Sequence, residues 1–175
     1  MGILLVAMIP LAAIGVDVNI SDKVSSTKIL EHDKAIVSSI FEGIGVQIRW
    51  REGEAGPGSF GIRVVEHAAP SASLEAMAST RLADGAITVF ADRVRQRLGR
   101  AHPGAAKIGL AYVFAHELAH AMQGVGRHSE AGILKAQWTN DDFTAMLFHK
   151  LAFTEFDATL IRQRLSTRQS ELAKK

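Results

Sequence analysis

The chain has 175 residues and no cysteine. This absence excludes a disulfide scaffold, a thiol nucleophile, an iron–sulfur cluster and a zinc site built from thiolates. Any metal ion must therefore be bound by histidine, aspartate or glutamate, and the chain contains seven histidines. Aromatic residues are few, at 6%, but hydrophobic residues make up 47%, which is enough to form the buried core of one domain.

The net charge is small, at +2, and the basic excess is concentrated near the C-terminus. Between residues 162 and 175, five residues are basic and one is acidic. We predict a basic tail at residues 166–175, which can contact an anionic partner but equally fits the solvated end of a helix. No aromatic residues are interleaved with these charges, so we expect no nucleic-acid partner.

An uncharged, largely apolar segment spans residues 2–16. It is shorter than the roughly 20 residues that cross a bilayer, but it has the length of a signal-peptide core and ends in small residues. No basic residue precedes it, and the alternative is a buried first strand. We predict a signal peptide or membrane-associated leader at residues 1–15, a domain at 16–165, and a secreted or periplasmic protein. An uncleaved leader would instead anchor the protein to a membrane.

The hydrophobic pattern changes along the chain from strand-like to helix-like. Alternation of apolar and polar residues predicts strands at 16–20, 46–50, 60–66 and 86–90. Helical spacing and capping residues predict helices at 29–44, from Asp92 through Arg97, at about 105–123, near 141–150 and near 155–165. Residues 68–79 are predicted to be a surface segment. This order of elements predicts a small α+β fold.

The motif HELAH lies within the long predicted helix, at residues 116–120. Because an α-helix has about 3.6 residues per turn, His116 and His120 are one turn apart and can bind the same metal ion. Glu117 then lies beside the metal, where its carboxylate can hold and deprotonate a water molecule. Neutral imidazoles suit zinc, and a catalytic zinc takes three protein ligands and a water. The alternative is a polar stripe on a surface helix without metal.

The third ligand must come from elsewhere in the chain. Glycines after the helix allow the chain to turn back, and His128 follows eight residues after His120. This spacing favours His128 as the third ligand. Glu155, on a later helix, and Glu130 are the alternatives.

Tyr112, the only tyrosine, precedes His116 by one turn. Its hydroxyl is a candidate donor to the tetrahedral intermediate of amide hydrolysis, and a tyrosine packed in the core is the alternative. Arg127 and His149 are other candidates for this role. Ser129, next to the predicted third ligand, can orient that ligand or cap its loop.

Residues 116–138 read HELAHAMQGVGRHSEAGILKAQW and resemble the zincin metallopeptidases, in particular the metzincin pattern HExxHxxGxxH followed by a methionine-containing turn. The glycine here comes one residue later, and the third histidine two residues later, than in that pattern. The segment is also similar to small exported bacterial zinc proteases with HELGH, a glycine loop, His-Ser and a Gly-Ile-Met turn. In this chain Leu134 stands where that turn has methionine.

The resemblance implies a zincin-like fold, in which a small mixed sheet packs on helices and a central helix carries the motif. It implies one zinc ion, with His116, His120 and His128 as ligands. It also implies that Glu117 acts as the general base.

By the same resemblance, an extended peptide is expected to pair with one strand of the sheet, at Ile87, Thr88 and Val89. We therefore predict a zinc metalloprotease that acts on peptide or protein substrates. The alternative is a non-catalytic module in which zinc stabilises a peptide-binding cleft. A third hypothesis is a metal-free interaction protein whose basic tail contacts an anionic partner.

Overall fold

The computed structural model describes residues 13–22, 24, 27–70, 72–102 and 104–174. The strands are β1 (Ile14–Asp22), β2 (Val46–Glu52), β3 (Phe60–Val65), β4 (Ala78–Arg81) and β5 (Ala86–Phe90). The α-helices are α1 (Thr27–Glu42), α2 (Ala91–Ala101), α3 (Gly109–Gln123), α4 (Asn140–Leu147) and α5 (Glu155–Leu172). Among the described residues, no helix combines the length and the apolar composition needed to cross a bilayer.

The five strands form a single mixed sheet in the order β2-β1-β3-β5-β4. Neighbours are parallel except for β4, which runs antiparallel to β5. Parallel neighbours need a crossover connection, and α1 provides it between β1 and β2. Among the described strands, β4 pairs on one side only and therefore forms one edge of the sheet.

One face of the sheet is buried and the other faces solvent. In β1, Val16, Val18 and Ile20 are buried. Asp17 lies on the opposite face and forms an ion pair with Arg49 of β2 at 2.9 Å. The alternation arises because successive side chains of a strand point to opposite faces. Helices α1, α2, α3 and α5 contact the sheet.

Helix α3 lies at the centre of the domain, in contact with α1, α2, α5 and three strands. Most of its residues are buried. At Gly109 the helix approaches α2 so closely that a Cβ atom would lie 2.0 Å from Leu98 Cδ1. The helix ends at Gly124, whose φ of 69° lies in the left-handed region that glycine adopts without strain. The predicted start near residue 105 is wrong, because Ala105–Lys107 form a separate 3-10 helix.

All four predicted strands and all five predicted helices are present, but two segments differ from the prediction. The surface segment predicted at 68–79 ends in β4, a strand without apolar alternation that forms because β5 pairs with it. Helix α5 continues to Leu172, so most of the predicted basic tail is helical. Part of that extension packs on the sheet, since the Arg168 guanidinium lies 4.1 Å from the centre of the Phe60 ring.

The predicted leader, residues 1–15, falls largely outside the described residues. Its last two residues, Ile14 and Gly15, already pair with Val46 and Gln47 in the sheet. The domain boundary predicted between residues 15 and 16 therefore lies within β1. Export of the protein stays a prediction.

Candidate metal centre

Three histidine side chains converge beside α3. His116 and His120 lie one turn apart, with their Nε2 atoms separated by 3.0 Å. His128 comes from the loop after α3, and its ring centroid lies 5.3 Å from that of His116 and 5.0 Å from that of His120. One nitrogen of each ring lies within 4.8 Å of the other two. The structure thus brings together the three residues that the sequence singles out as metal ligands.

Backbone carbonyls orient the two helical rings. His116 donates from Nδ1 to the Ile133 carbonyl at 2.8 Å, and His120 donates from Nδ1 to the Val125 carbonyl at 3.2 Å. A carbonyl can only accept, so the hydrogen of each neutral ring is on Nδ1 and each Nε2 carries a lone pair. Two lone pairs facing each other at 3.0 Å repel unless a cation lies beside them. The donor set therefore fits a divalent cation such as zinc.

The surroundings of both helical rings favour the neutral form. Burial lowers the pKa of His116 to about 4. Burial and the repulsion of a charged His116 lower the pKa of His120 to about 4. Both rings are neutral at physiological pH, as metal ligands must be. His128 is exposed, so the third ring lies on the solvent side of the cluster.

Glu117 is half-buried beside the histidines, and the edge strand holds its carboxylate. Thr80 of β4 donates a hydrogen bond from Oγ1 to Glu117 Oε2. Burial raises the pKa of Glu117, although the Thr80 hydrogen bond and the neighbouring histidines act in the opposite direction. A carboxylate of raised pKa next to a metal centre is suited to accept a proton.

The segment at residues 132–138, which follows the loop that carries His128, contacts the His116 ring. Gly132 has a φ of 75°, and a Cβ atom there would lie 2.4 Å from the Ala152 carbonyl oxygen. This tight approach brings the Ile133 carbonyl to His116, and the same carbonyl accepts a hydrogen bond from Trp138 Nε1 at 3.1 Å. The Trp138 ring packs edge-on against His116, with 5.7 Å between centroids. Residues 132–138, which carry part of the sequence resemblance, therefore hold the His116 ring in position.

The histidine cluster opens into a cleft of about 590 Å³. Beside the histidines, the cleft is lined by apolar side chains that include Leu98, Val113 and Phe143. A larger groove of about 890 Å³ crosses the solvent-facing side of the sheet, but none of the three histidines lines it. We therefore assign the candidate function to the smaller cleft.

Helix α2 holds one wall of this cleft through its arginines. Arg93 donates to the Ala76 carbonyl at 3.0 Å, and Arg97 donates to the Glu75 carbonyl at 2.6 Å. Both carbonyls belong to the segment that leads into β4. The basic helix predicted from the sequence thus fixes the segment that carries the edge strand.

Tyr112 does not line the cleft. Its side chain is fully buried, and its hydroxyl donates to the Met146 carbonyl at 3.4 Å. Burial raises the pKa of Tyr112 to about 12. The structure therefore favours the alternative of a tyrosine packed in the core over a donor to a reaction intermediate.

The other candidates named from the sequence lie outside the cluster. Glu155, the first residue of α5, and Glu130 are exposed, and neither belongs to the metal-ligand group found among the described residues. Arg127 pairs instead with Asp157. His149 is exposed beyond α4 and does not line the cleft.

Strand β5 is not an edge strand. Its residues Ile87, Thr88 and Val89 pair with β3 on one side and with β4 on the other. Their main-chain groups are already used, so the prediction that this strand offers an edge to a peptide is wrong. The edge belongs to β4, which also carries Thr80.

Sequence reasoning missed two residues near the histidines. The sequence does not indicate that Thr80 contacts Glu117, because Thr80 lies 37 residues earlier in a segment without a strand pattern. Asp157 follows Thr154 in a T-x-x-D pattern, which indicates the start of a helix. That pattern does not reveal that the Asp157 carboxylate also contacts Ser129, in the loop that carries His128.

No protein-family model matches this chain. No curated protein sequence matches it either. Among solved structures, the chain is similar to the crystal structure of archaemetzincin from Methanopyrus kandleri, with a TM-score of 0.56 and 12% sequence identity. The similarity covers 88% of this chain and 96% of that chain. The chain therefore has the fold of archaemetzincin, a mixed five-stranded sheet packed against helices, and the predicted zincin-like architecture is confirmed.

Proposed function

We propose that this protein is a zinc-dependent metallopeptidase. The observation that carries the proposal is the convergence of three imidazoles beside a half-buried carboxylate in a cleft. The proposed ligands of one zinc ion are His116, His120 and His128, and the proposed general base is Glu117. The similarity in fold to archaemetzincin supports the same class of function.

The three imidazoles would hold zinc as a Lewis acid, whose chemistry would be to polarise a scissile carbonyl and to acidify a water molecule. Glu117 takes the proton from the attacking water and passes it to the leaving amine. The hydrogen bond from Thr80 occupies Oε2 and leaves Oε1 to accept that proton. The carbonyls of Ile133 and Val125 keep the two helical rings in one orientation as charge develops.

The substrate is proposed to lie along β4 rather than β5. On the side of β4 away from β5, no described strand pairs with it. An extended peptide can add there through main-chain hydrogen bonds, next to Thr80 and the histidines. The apolar lining at Leu98, Val113 and Phe143 fits an apolar side chain of such a peptide.

The test combines zinc stoichiometry with peptide cleavage. Parent protein purified without added zinc or chelator is expected to contain one equivalent of zinc and to cleave members of a peptide library. The Glu117→Gln variant is expected to keep the zinc and to lose roughly 10²- to 10⁴-fold in kcat. Full activity in this variant, or a parent that holds no zinc, would contradict the proposal.

A non-catalytic, zinc-stabilised peptide-binding module is the second candidate. The burial of Tyr112 favours it, because the only tyrosine hydroxyl of the chain is not available to stabilise an oxyanion in the cleft. The same experiment separates the two candidates. Zinc and peptide binding without any cleavage by the parent would select the binding module.

A further inference from the structure

Asp157, in the first turn of α5, is a fully buried residue that holds the loop carrying His128. Ser129 Oγ lies 2.8 Å from Asp157 Oδ1 and 2.9 Å from Oδ2. Arg127 donates from Nη2 to Oδ1, and Thr154 donates from Oγ1 to Oδ2 at 2.6 Å. The residues on both sides of His128 are thus tied to one carboxylate.

His128 depends on these neighbours for its position. The rings of His116 and His120 are each fixed by a hydrogen bond to a backbone carbonyl. In the part of the chain that the structure describes, no such bond is made by the ring of His128, which is exposed. A buried carboxylate is costly without its donors, so the contacts of Asp157 resist movement of the loop.

The first turns of α4 and α5 differ in what the aspartate carboxylate binds, and this difference distinguishes the contacts of Asp157 from ordinary helix capping. At α4, Asp142 closes a capping box, because its carboxylate accepts from the Thr139 backbone N–H at 2.7 Å. At α5, the Thr154 hydroxyl accepts from the Asp157 backbone N–H at 3.1 Å. The Asp157 carboxylate, however, also accepts from the two side chains that flank the third histidine. It is therefore directed towards the loop.

We propose that Asp157 is a positioning residue for the metal centre. By binding Arg127 and Ser129, it fixes the loop to α5 and sets His128 within reach of the other two imidazoles. The Arg127 guanidinium also lies 4.7 Å from the centre of the Phe156 ring, a second contact with the same turn of α5. This inference rests on the proposed zinc-dependent function.

The test measures zinc affinity by competition with a chromophoric chelator, for the full chain and three variants. Asp157→Asn keeps the size of the side chain and removes its charge, and zinc affinity is expected to fall roughly 10- to 100-fold. Ser129→Ala removes one donor from the loop and is expected to cause a smaller loss. Thr139→Ala removes the corresponding cap of α4, whose side-chain partner is Asp142 and not Asp157, so it serves as the control and is expected to keep the parent affinity.

A spectroscopic measurement distinguishes positioning from a general loss of stability. The visible spectrum of Co²⁺ bound in place of zinc depends on the geometry of its ligands. Asp157→Asn is expected to change the shape of that spectrum, whereas Thr139→Ala is expected to leave it unchanged.

An Asp157→Asn protein with the zinc affinity and Co²⁺ spectrum of the parent would overturn the inference. If that variant does not fold, the zinc affinity of Ser129→Ala is the test. An unchanged zinc affinity in Ser129→Ala would then overturn the inference. A parent that binds no zinc would overturn the proposed function itself. The two failures are therefore distinguishable.

Discussion

A hydrogen bond from the hydroxyl of Thr80 to the carboxylate of Glu117 joins the edge strand β4 to the central helix α3. The strand that is proposed to bind substrate therefore also orients the proposed general base. Substrate pairing along β4 and the position of the carboxylate are linked by this one side chain.

Replacing Thr80 with valine is expected to lower kcat, because the isosteric side chain cannot hold the carboxylate. A hydrogen bond to a charged group contributes about 1.5–3 kcal/mol, which corresponds to a loss of roughly 10- to 100-fold in kcat. The Thr80→Ser variant retains the hydroxyl and is the control. Zinc affinity is expected to stay unchanged in both variants. A Thr80→Val enzyme with the kcat of the parent would show that the hydrogen bond does not serve catalysis.

Replacing His128 with alanine is expected to weaken zinc binding by more than the roughly 10- to 100-fold loss that follows from removing an outer-shell partner. His128 is exposed, so the metal-free variant is expected to keep the unfolding free energy of the parent within about 0.5 kcal/mol. The matched control is His32→Ala, which removes an exposed histidine of α1. Zinc titration followed by calorimetry measures the difference. Equal affinities in the two variants would exclude His128 as a ligand.

Replacing Gly132 with alanine is expected to destabilise the fold by more than the same change at Gly53. Both glycines have positive φ, 75° and 90°, so both variants incur a backbone strain of about 1–2 kcal/mol. At Gly132 the new Cβ also meets the Ala152 carbonyl oxygen, whereas nothing lies within 4 Å at Gly53. Urea unfolding of both variants measures the difference. Equal destabilisation of the two variants would show that the segment around Gly132 can move away from Ala152 without loss of unfolding free energy.

Asp33 of α1 is fully buried, and its carboxylate oxygens have no hydrogen-bond partner in the described structure. Burial and repulsion from Asp22 raise its pKa from 3.8 to about 7. Below about pH 4 the carboxyl is protonated in the folded and the unfolded protein. Between about pH 4 and 7 only the unfolded state ionises, so this group lowers stability as pH rises, by on the order of 4 kcal/mol in total.

The Asp33→Asn variant is expected to lose that pH dependence. Its unfolding free energy relative to the parent should therefore increase from about pH 4 to about pH 8. The increase should be steepest at about pH 5–6, between the two pKa values, where the folded state keeps the proton and the unfolded state has lost it. Urea unfolding of both proteins at several pH values measures this difference, in which the contributions of other groups cancel. A difference that does not change with pH would show that Asp33 is ionised in the folded protein throughout.

Much of the fold could be predicted because its elements have local patterns. The alternation in β1 and the apolar spacing of α3 depend only on the repeat of a strand and of a helix. Strand β4 has no such pattern, since it forms through pairing with β5. The extension of α5 to Leu172 likewise depends on contacts with the sheet, including Arg168 on Phe60. The edge position of β4, and with it the correction of the substrate strand, is a property of the whole sheet.

By itself, the sequence determined that His116 and His120 share one helical face beside Glu117, because helix geometry follows from spacing alone. It also determined that the glycine after α3 lets the chain turn back towards them. Only the tertiary structure decided which distant groups complete the site. Thr80 reaches Glu117, and Asp157 holds the loop of His128, through contacts between residues far apart in the chain. Such contacts arise from packing, which no local pattern encodes.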